Sequence, residues 1–247
     1  MRKLLLAFSF LTVVPVPMAS PVQEKELAGA MAWFPLVGLL LGAMAAAVYW
    51  ITGLVSVSLV RDFLPLAFLV LITGNLHGDG LMDSTDGLFS GHPSGRTLEI
   101  MKDSRVGSHG VMAGVLGLLA KVVFLQALAP SAAITALVVV PVFGRWAQVY
   151  AAATYPYVRP SGTGVFTKHL GRRELLIASA VLLTVLVPTL GLRAIVPAGS
   201  AFLGTSLAGG YLRKKIGGMT GDTLGALNEF VEILTFAALL VMDIFWR

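Results

Sequence analysis

Seven stretches of this chain, approximately 33–57, 62–76, 107–129, 132–153, 174–192, 194–212 and 227–246, are too apolar to sit beneath an ordinary polar surface. Several approach the ~20 residues that a helix needs to cross a bilayer. Only 13% of the 247 residues are charged and 56% are hydrophobic, against roughly 25% charged in a soluble domain. The chain therefore reads as an all-α, polytopic integral membrane protein, with about seven transmembrane helices and polar loops. Residues 1–247 are expected to form one membrane-embedded domain. Cysteine is absent, which removes disulfides, thiolate metal sites and cysteine nucleophiles. The net charge of +5 is not read as nucleic-acid binding, because lysine and arginine in a membrane protein mark loops that stay in the cytosol.

Only Pro-Ser at 130–131 and Leu-Arg at 192–193 separate neighbouring apolar segments, which predicts antiparallel helical hairpins at both places. Small-residue pairs such as Gly38/Gly42, Gly110/Gly114 and Gly204/Ala208 would let helices approach closely in lipid. The N-terminal MRKLLLAFSFLTVVPVP fits either a signal peptide or a short membrane-dipping helix stopped by Pro15 and Pro17. Trp33, Trp50, Tyr150, Tyr155, Tyr157 and Trp246 are candidate interfacial anchors.

The stretch from His77 to Gly110, HGDGLMDSTDGLFSGHPSGRTLEIMKDSRVGSHG, interrupts this pattern. Asp79, Asp83 and Asp86 are spaced i, i+4, i+7, so on a helix they share one side. Bare carboxylates so placed raise one another's pKa, and a hard divalent cation such as Mg²⁺ or Mn²⁺ would relieve them. Arg96, Lys102 and Arg105 follow, and carboxylates with a metal plus cations for phosphate oxygens form the device of metal-assisted phosphoryl transfer. An ion path is the competing reading of carboxylates at a span end. If the aspartates are cytosolic, Arg61, Arg193 and Arg247 fall opposite and Lys121 and Arg145 fall within spans. The remaining 13 of the 18 Lys and Arg then share the aspartate side, the arrangement that the positive-inside rule favours. The same alternation brings loops 154–173 and 213–226 to that face.

HGDGLMDSTDG, LEIMKDSRVGSHG and GGMTGDTLGA at 217–226, with WFPLVGLLLGA at 33–43 and FLTVVPVP at 10–17, closely resemble the cobalamin synthase family, the adenosylcobinamide-GDP ribazoletransferases. Two positions depart from its pattern: Gly78 stands where the family usually has leucine, and Val13 or Val14 where arginine is common. The resemblance implies an enzyme of the cell inner membrane with Mg²⁺ as cofactor. Its substrates would be adenosylcobinamide-GDP and α-ribazole or α-ribazole 5′-phosphate. The products would be adenosylcobalamin or its 5′-phosphate, and GMP. Asp83-Ser-Thr-Asp86-Gly87 also resembles the D-x-x-D-G core of CDP-alcohol phosphotransferases, whose following Ala-Arg pair is absent here. Self-association into a homo-oligomer is left open.

Roles follow from residue chemistry. Asp79, Asp83 and Asp86 are the expected metal ligands, and Gly78, Gly80 and Gly87 would let backbone approach phosphate. Lys102 and Arg105 would clamp phosphate oxygens, with Arg96 as a further substrate contact. Asp103 is either a fourth ligand or the base, and His77 is the rival base. In the second polar motif Gly217, Gly218 and Gly221 would offer free N–H groups to an anion, and either Asp222 would join the metal site or Thr220 and Asp222 would hold substrate. Lys121 and Arg145, inside spans, either pair with Glu229 or Glu232 or touch a substrate phosphate.

Overall fold

A backbone in lipid has no water to bond with, so each apolar segment must satisfy its own N–H and C=O groups as a helix. The computed structural model describes residues 1–17, 20–54, 57–162 and 164–245; Trp246, expected as an anchor, and Arg247, counted on the far side, lie outside the described residues. The helices are α1 (Arg2–Leu11), α2 (Glu24–Met31), α3 (Phe34–Gly53), α4 (Ser58–Ile72), α5 (Leu76–Phe89), α6 (Ser94–Ile100), α7 (Ser108–Ala127), α8 (Pro130–Thr154), α9 (Arg172–Leu190), α10 (Ile195–Ile216) and α11 (Gly221–Phe245). Short 3₁₀ turns lie at Val165–His169 and Gly191–Ala194. No strand occurs among the described residues.

Among the described residues five helical stretches are long and apolar enough to cross a membrane, and a sixth arises if α4 and α5 are joined. One of the five, Arg172–Ile216, has 45 residues, roughly 68 Å of helix, about twice the hydrocarbon thickness. It turns back at Gly191, where φ is 56°. Ser179 on its first arm then bonds Trp146 at 3.0 Å, and Ser206 on its second bonds Tyr150 at 3.1 Å, so both arms run along α8. With Arg172–Ile216 counted once, length and apolarity give five or six spans, against the seven expected.

The hairpin expectation is corrected. The chain does reverse at both tight turns, but α7 barely touches α8, and α9 and α10 are not close partners. Their faces are instead used on other helices: α8 packs on α3, α11 and α9, while α7 packs on α5 and α11. Small residues decide the closest pair. A Cβ on Gly42 would lie 2.6 Å from the Leu137 carbonyl oxygen, and one on Gly38 would meet that of Pro141, so α3 and α8 touch backbone to backbone.

Residue α1 begins with, Arg2, pairs with Glu26 at 3.0 Å, tying α1 to α2. Leu6, Ala7 and Leu11 are buried, and Phe10 stacks on Phe34 and meets Phe166 edge-on. The N-terminal segment forms a short helix that ends before Pro15. Tyr150 and Tyr155 are not free anchors, since both hydroxyls bond Ser206; Trp50, 61% exposed, fits the anchor role.

The aspartate helix does not continue the span before it. Between α4 and α5 the chain bends by 85° at Thr73-Gly74-Asn75, where Gly74 and Asn75 have φ of 59° and 57°. Glycine and asparagine are the residues that tolerate this left-handed backbone. The Val13 N–H donates to the Ile72 carbonyl at 2.8 Å, covering a group left open at the helix end. Thus α5 runs across the bundle at its polar face and is not itself a span.

Candidate active site

Three polar segments distant in sequence meet at that face. Val158 donates to the Met219 carbonyl and Met219 to that of Pro156, at 2.9 and 2.8 Å. Arg159 pairs with Asp222 at 2.6 Å, and Lys215 reaches the His92 carbonyl at 3.3 Å. The convergence expected of the aspartate stretch, 154–173 and 213–226 is therefore present.

Helix α5 is held in this junction by its glycines. A Cβ on Gly80 would lie 2.6 Å from the Asp222 carbonyl oxygen and 3.2 Å from the Gly225 Cα, and one on Gly87 would lie 2.9 Å from the Thr97 carbonyl oxygen. These two glycines admit α11 and α6 rather than phosphate, while Gly78 lies under the Asn75 side chain.

The carboxylates divide into distinct environments. Partial burial raises the Asp83 carboxyl to about 6, helped by the charges of Asp79, Asp222 and Asp86 and opposed by Arg159. Asp79 and Asp222 thus face Asp83 from α5 and from the start of α11. Asp86 is engaged elsewhere, accepting the Gly107 and Gly110 N–H groups at 2.7 and 2.8 Å. It holds the open start of α7, where unpaired N–H groups and the helix dipole favour an anion. Among the described residues no three acidic or histidine side chains form a ready metal cage. Mg²⁺ commonly takes only one or two carboxylates and completes its shell with water and substrate phosphates. Asp79 and Asp83, one turn apart on α5, supply hard oxygens that fit that mode.

The basic motif is peripheral in this arrangement. Arg105 bonds Asp103 at 2.7 Å, and this guanidinium holds the exposed Asp103 carboxyl down at about 2. Arg96 pairs with Glu99 along α6 at 2.8 Å, and Lys102 is exposed. The 217–221 loop is structural in detail. Gly218 lies against the Pro156 carbonyl; the Met219 N–H is spent on Pro156. Thr220 and Thr223 cap the start of α11 by reciprocal bonds of 2.8 and 3.1 Å. The N–H groups of Met219 and Thr220 are therefore not free for an anion. Arg159, in the loop at 154–173, is the cation that pairs with Asp222 and acts on Asp83.

Deeper, Lys121 bonds both Glu229, at 2.7 Å, and Glu232. Arg145 also bonds Glu232, whose third contact comes from Asn228 at 3.0 Å. The pairing expected for these intramembrane cations is present. Arg145 Nη2 lies 3.4 Å from His77 Nδ1; a guanidinium can only donate, so His77 accepts there and carries its proton on Nε2. A cavity of about 240 Å³ adjoins the aspartates, lined by Phe10, Phe34, Phe166, Gln148, His77, Asp79 and Asp222.

Sequence comparisons identify the relatives of this chain. A family model described as cobalamin-5-phosphate synthase matches residues 3–240. An adenosylcobinamide-GDP ribazoletransferase of Desulforamulus reducens is 43% identical over 228 residues, 92% of this chain and 91% of its own. Proteins of the same name from Caldanaerobacter subterraneus subsp. tengcongensis and Syntrophobacter fumaroxidans are 38% and 42% identical. They cover 96% and 94% of this chain, and 96% and 95% of their own lengths. No solved structure matches the chain. With all three polar segments and nearly the whole helical bundle inside the matched region, the chain belongs to the cobalamin-5-phosphate synthase family.

Proposed function

We propose that this protein transfers the phosphocobinamide unit of adenosylcobinamide-GDP to α-ribazole or its 5′-phosphate, releasing GMP. The observation that carries the reading is the convergence of Asp79 and Asp83 with the Asp222–Arg159 pair where three polar segments meet, in a chain with relatives of that name. The positive-inside count argues that this face is cytosolic, where both nucleotides are available.

Asp79 and Asp83 would hold Mg²⁺, whose charge would offset that of the pyrophosphate and ease its transfer. The acceptor's ribose hydroxyl forms the new P–O bond to the cobinamide phosphate and gives its proton to water at the polar face, while the bridging P–O bond breaks and its electron pair leaves on GMP. Arg159 lies close enough to Asp222 to answer phosphate charge from the same face. His77, with its proton on Nε2, is suited to donate to a phosphate or hydroxyl oxygen. Asp103, held near 2 by Arg105, is a weak base at neutral pH.

The test uses protein purified into nanodiscs with adenosylcobinamide-GDP, α-ribazole and Mg²⁺. GMP should be released, and Asp83→Asn should lower the rate by about 10²-fold or more. Substrate crossing the bilayer intact, with no GMP formed, would support a transporter and overturn the proposal.

A further inference from the structure

A second cavity lies across His77 from the aspartates, deeper in the bundle. It measures about 310 Å³, at the lower end of the range for small-molecule pockets, and is enclosed by α4, α5, α7, α8 and α11. Its walls are largely aliphatic, Leu69, Leu118 and Leu137 among them, and its floor is Lys121, Arg145, Glu229 and Glu232 with His77. Its mouth reaches the outer surface between α4 and α7, where Val70, Val111 and Val115 are 37%, 46% and 48% exposed.

Two features of the floor select an occupant. Its two cations face two carboxylates, so it carries no net charge to attract a free phosphate. Arg145 and His77 are each only 3% exposed, yet Arg145 Nε and His77 Nε2 have no hydrogen-bond partner. Both are N–H donors, and buried donors are costly to leave unpaired. A molecule that fits has an apolar planar part for the walls and neutral oxygen acceptors for the floor.

We infer that this cavity receives the acceptor nucleoside, its benzimidazole base against the aliphatic walls and its ribose hydroxyls on Arg145 and His77. This rests on the function proposed above and adds where the second substrate sits. His77 lines both this cavity and the one beside Asp79 and Asp222. A displacement at phosphorus needs the attacking and leaving oxygens roughly in line. Cavities on two sides of one residue allow the acceptor to approach from the bundle interior while GMP departs toward the aspartates.

Steady-state GMP release in nanodiscs, with each substrate varied in turn, tests the assignment. Val115→Trp fills the mouth and should raise the KM for α-ribazole about tenfold, leaving the KM for adenosylcobinamide-GDP within about twofold. Val115→Phe should act in the same direction to a smaller extent, so a poorly folded tryptophan variant leaves the test intact. Leu119→Trp, on the lipid-facing side of α7 and 53% exposed, should change neither constant. Calorimetric titration of α-ribazole without the donor should show binding that Val115→Trp weakens by about tenfold. If wild-type protein releases no GMP, the proposed function itself fails. If it turns over but Val115→Trp leaves the acceptor KM unchanged, or raises the donor KM instead, only this inference fails. A co-purified lipid that α-ribazole cannot displace in native mass spectrometry would also overturn it.

Discussion

Glu232→Ala removes the carboxylate that the buried cluster turns on. Glu232 is 4% exposed and touches Lys121, Arg145 and Asn228. Without it Lys121 keeps Glu229, but Arg145 retains only the 3.4 Å contact to His77. Two charges of each sign become two cations and one carboxylate. Breaking a buried pair from one side costs about 3–5 kcal/mol, which for a chain of this size lowers the melting temperature by roughly 6–20 °C. The assay is thermal unfolding in detergent or nanodiscs, read by intrinsic fluorescence. A second variant separates lost charge balance from lost volume. Arg145→Met with Glu232→Leu removes one charge of each sign and leaves Lys121 with Glu229, so most of the lost stability should return. The reasoning is refuted if Glu232→Ala costs under about 1 kcal/mol, or if the double variant loses as much as both single changes together.

Three further outcomes are expected. The Asp83 carboxyl, raised to about 6, is ionised only above that value, so activity should fall as pH drops through about 6. Linkage gives the opposite sign for stability: between its ordinary value and about 6 the folded state binds the extra proton, so metal-free stability falls as pH rises through this window. Asp83→Asn should therefore be inactive yet melt no lower than wild type at pH about 8 without metal. Gly80→Ala would push a methyl against the Asp222 carbonyl, costing about 1–3 kcal/mol. By moving α5 off α11 it should also cut kcat by about 10²-fold, whereas Gly210→Ala, with open space around it, should do neither. Arg159→Ala removes the cation that pulls Asp83 downward, so the acid limb of the pH–rate profile should move to higher pH; an unshifted limb would disprove the coupling.

Much of the site was legible because its chemistry conflicts with its surroundings. Carboxylates and cations inside an apolar chain have few tolerable positions, so the meeting of three polar segments followed from composition and span order, and the pairing of Lys121 and Arg145 with Glu229 and Glu232 was one of two readings they left open. The duties of individual residues did not follow. Asp86 has the same helical spacing as Asp79 and Asp83, yet it bonds the start of α7 because Gly107 and Gly110 arrive there from more than 20 residues away. Gly80 and Gly87 looked free to admit phosphate, but small residues equally admit another helix, and only packing shows which happens.

By itself the sequence determined a helical membrane bundle, because lipid leaves an apolar segment no other way to satisfy its backbone. It also determined the aspartate cluster and its polar companions, since spacing and residue type are local. The tertiary structure alone decided which helices are neighbours, through the small residues that let α3 meet α8 and α5 meet α11. It also decided the 85° bend that lays the aspartates across the polar face, and which carboxylates anchor helices rather than face one another. Those outcomes depend on contacts between segments far apart in the chain, and no local pattern encodes them.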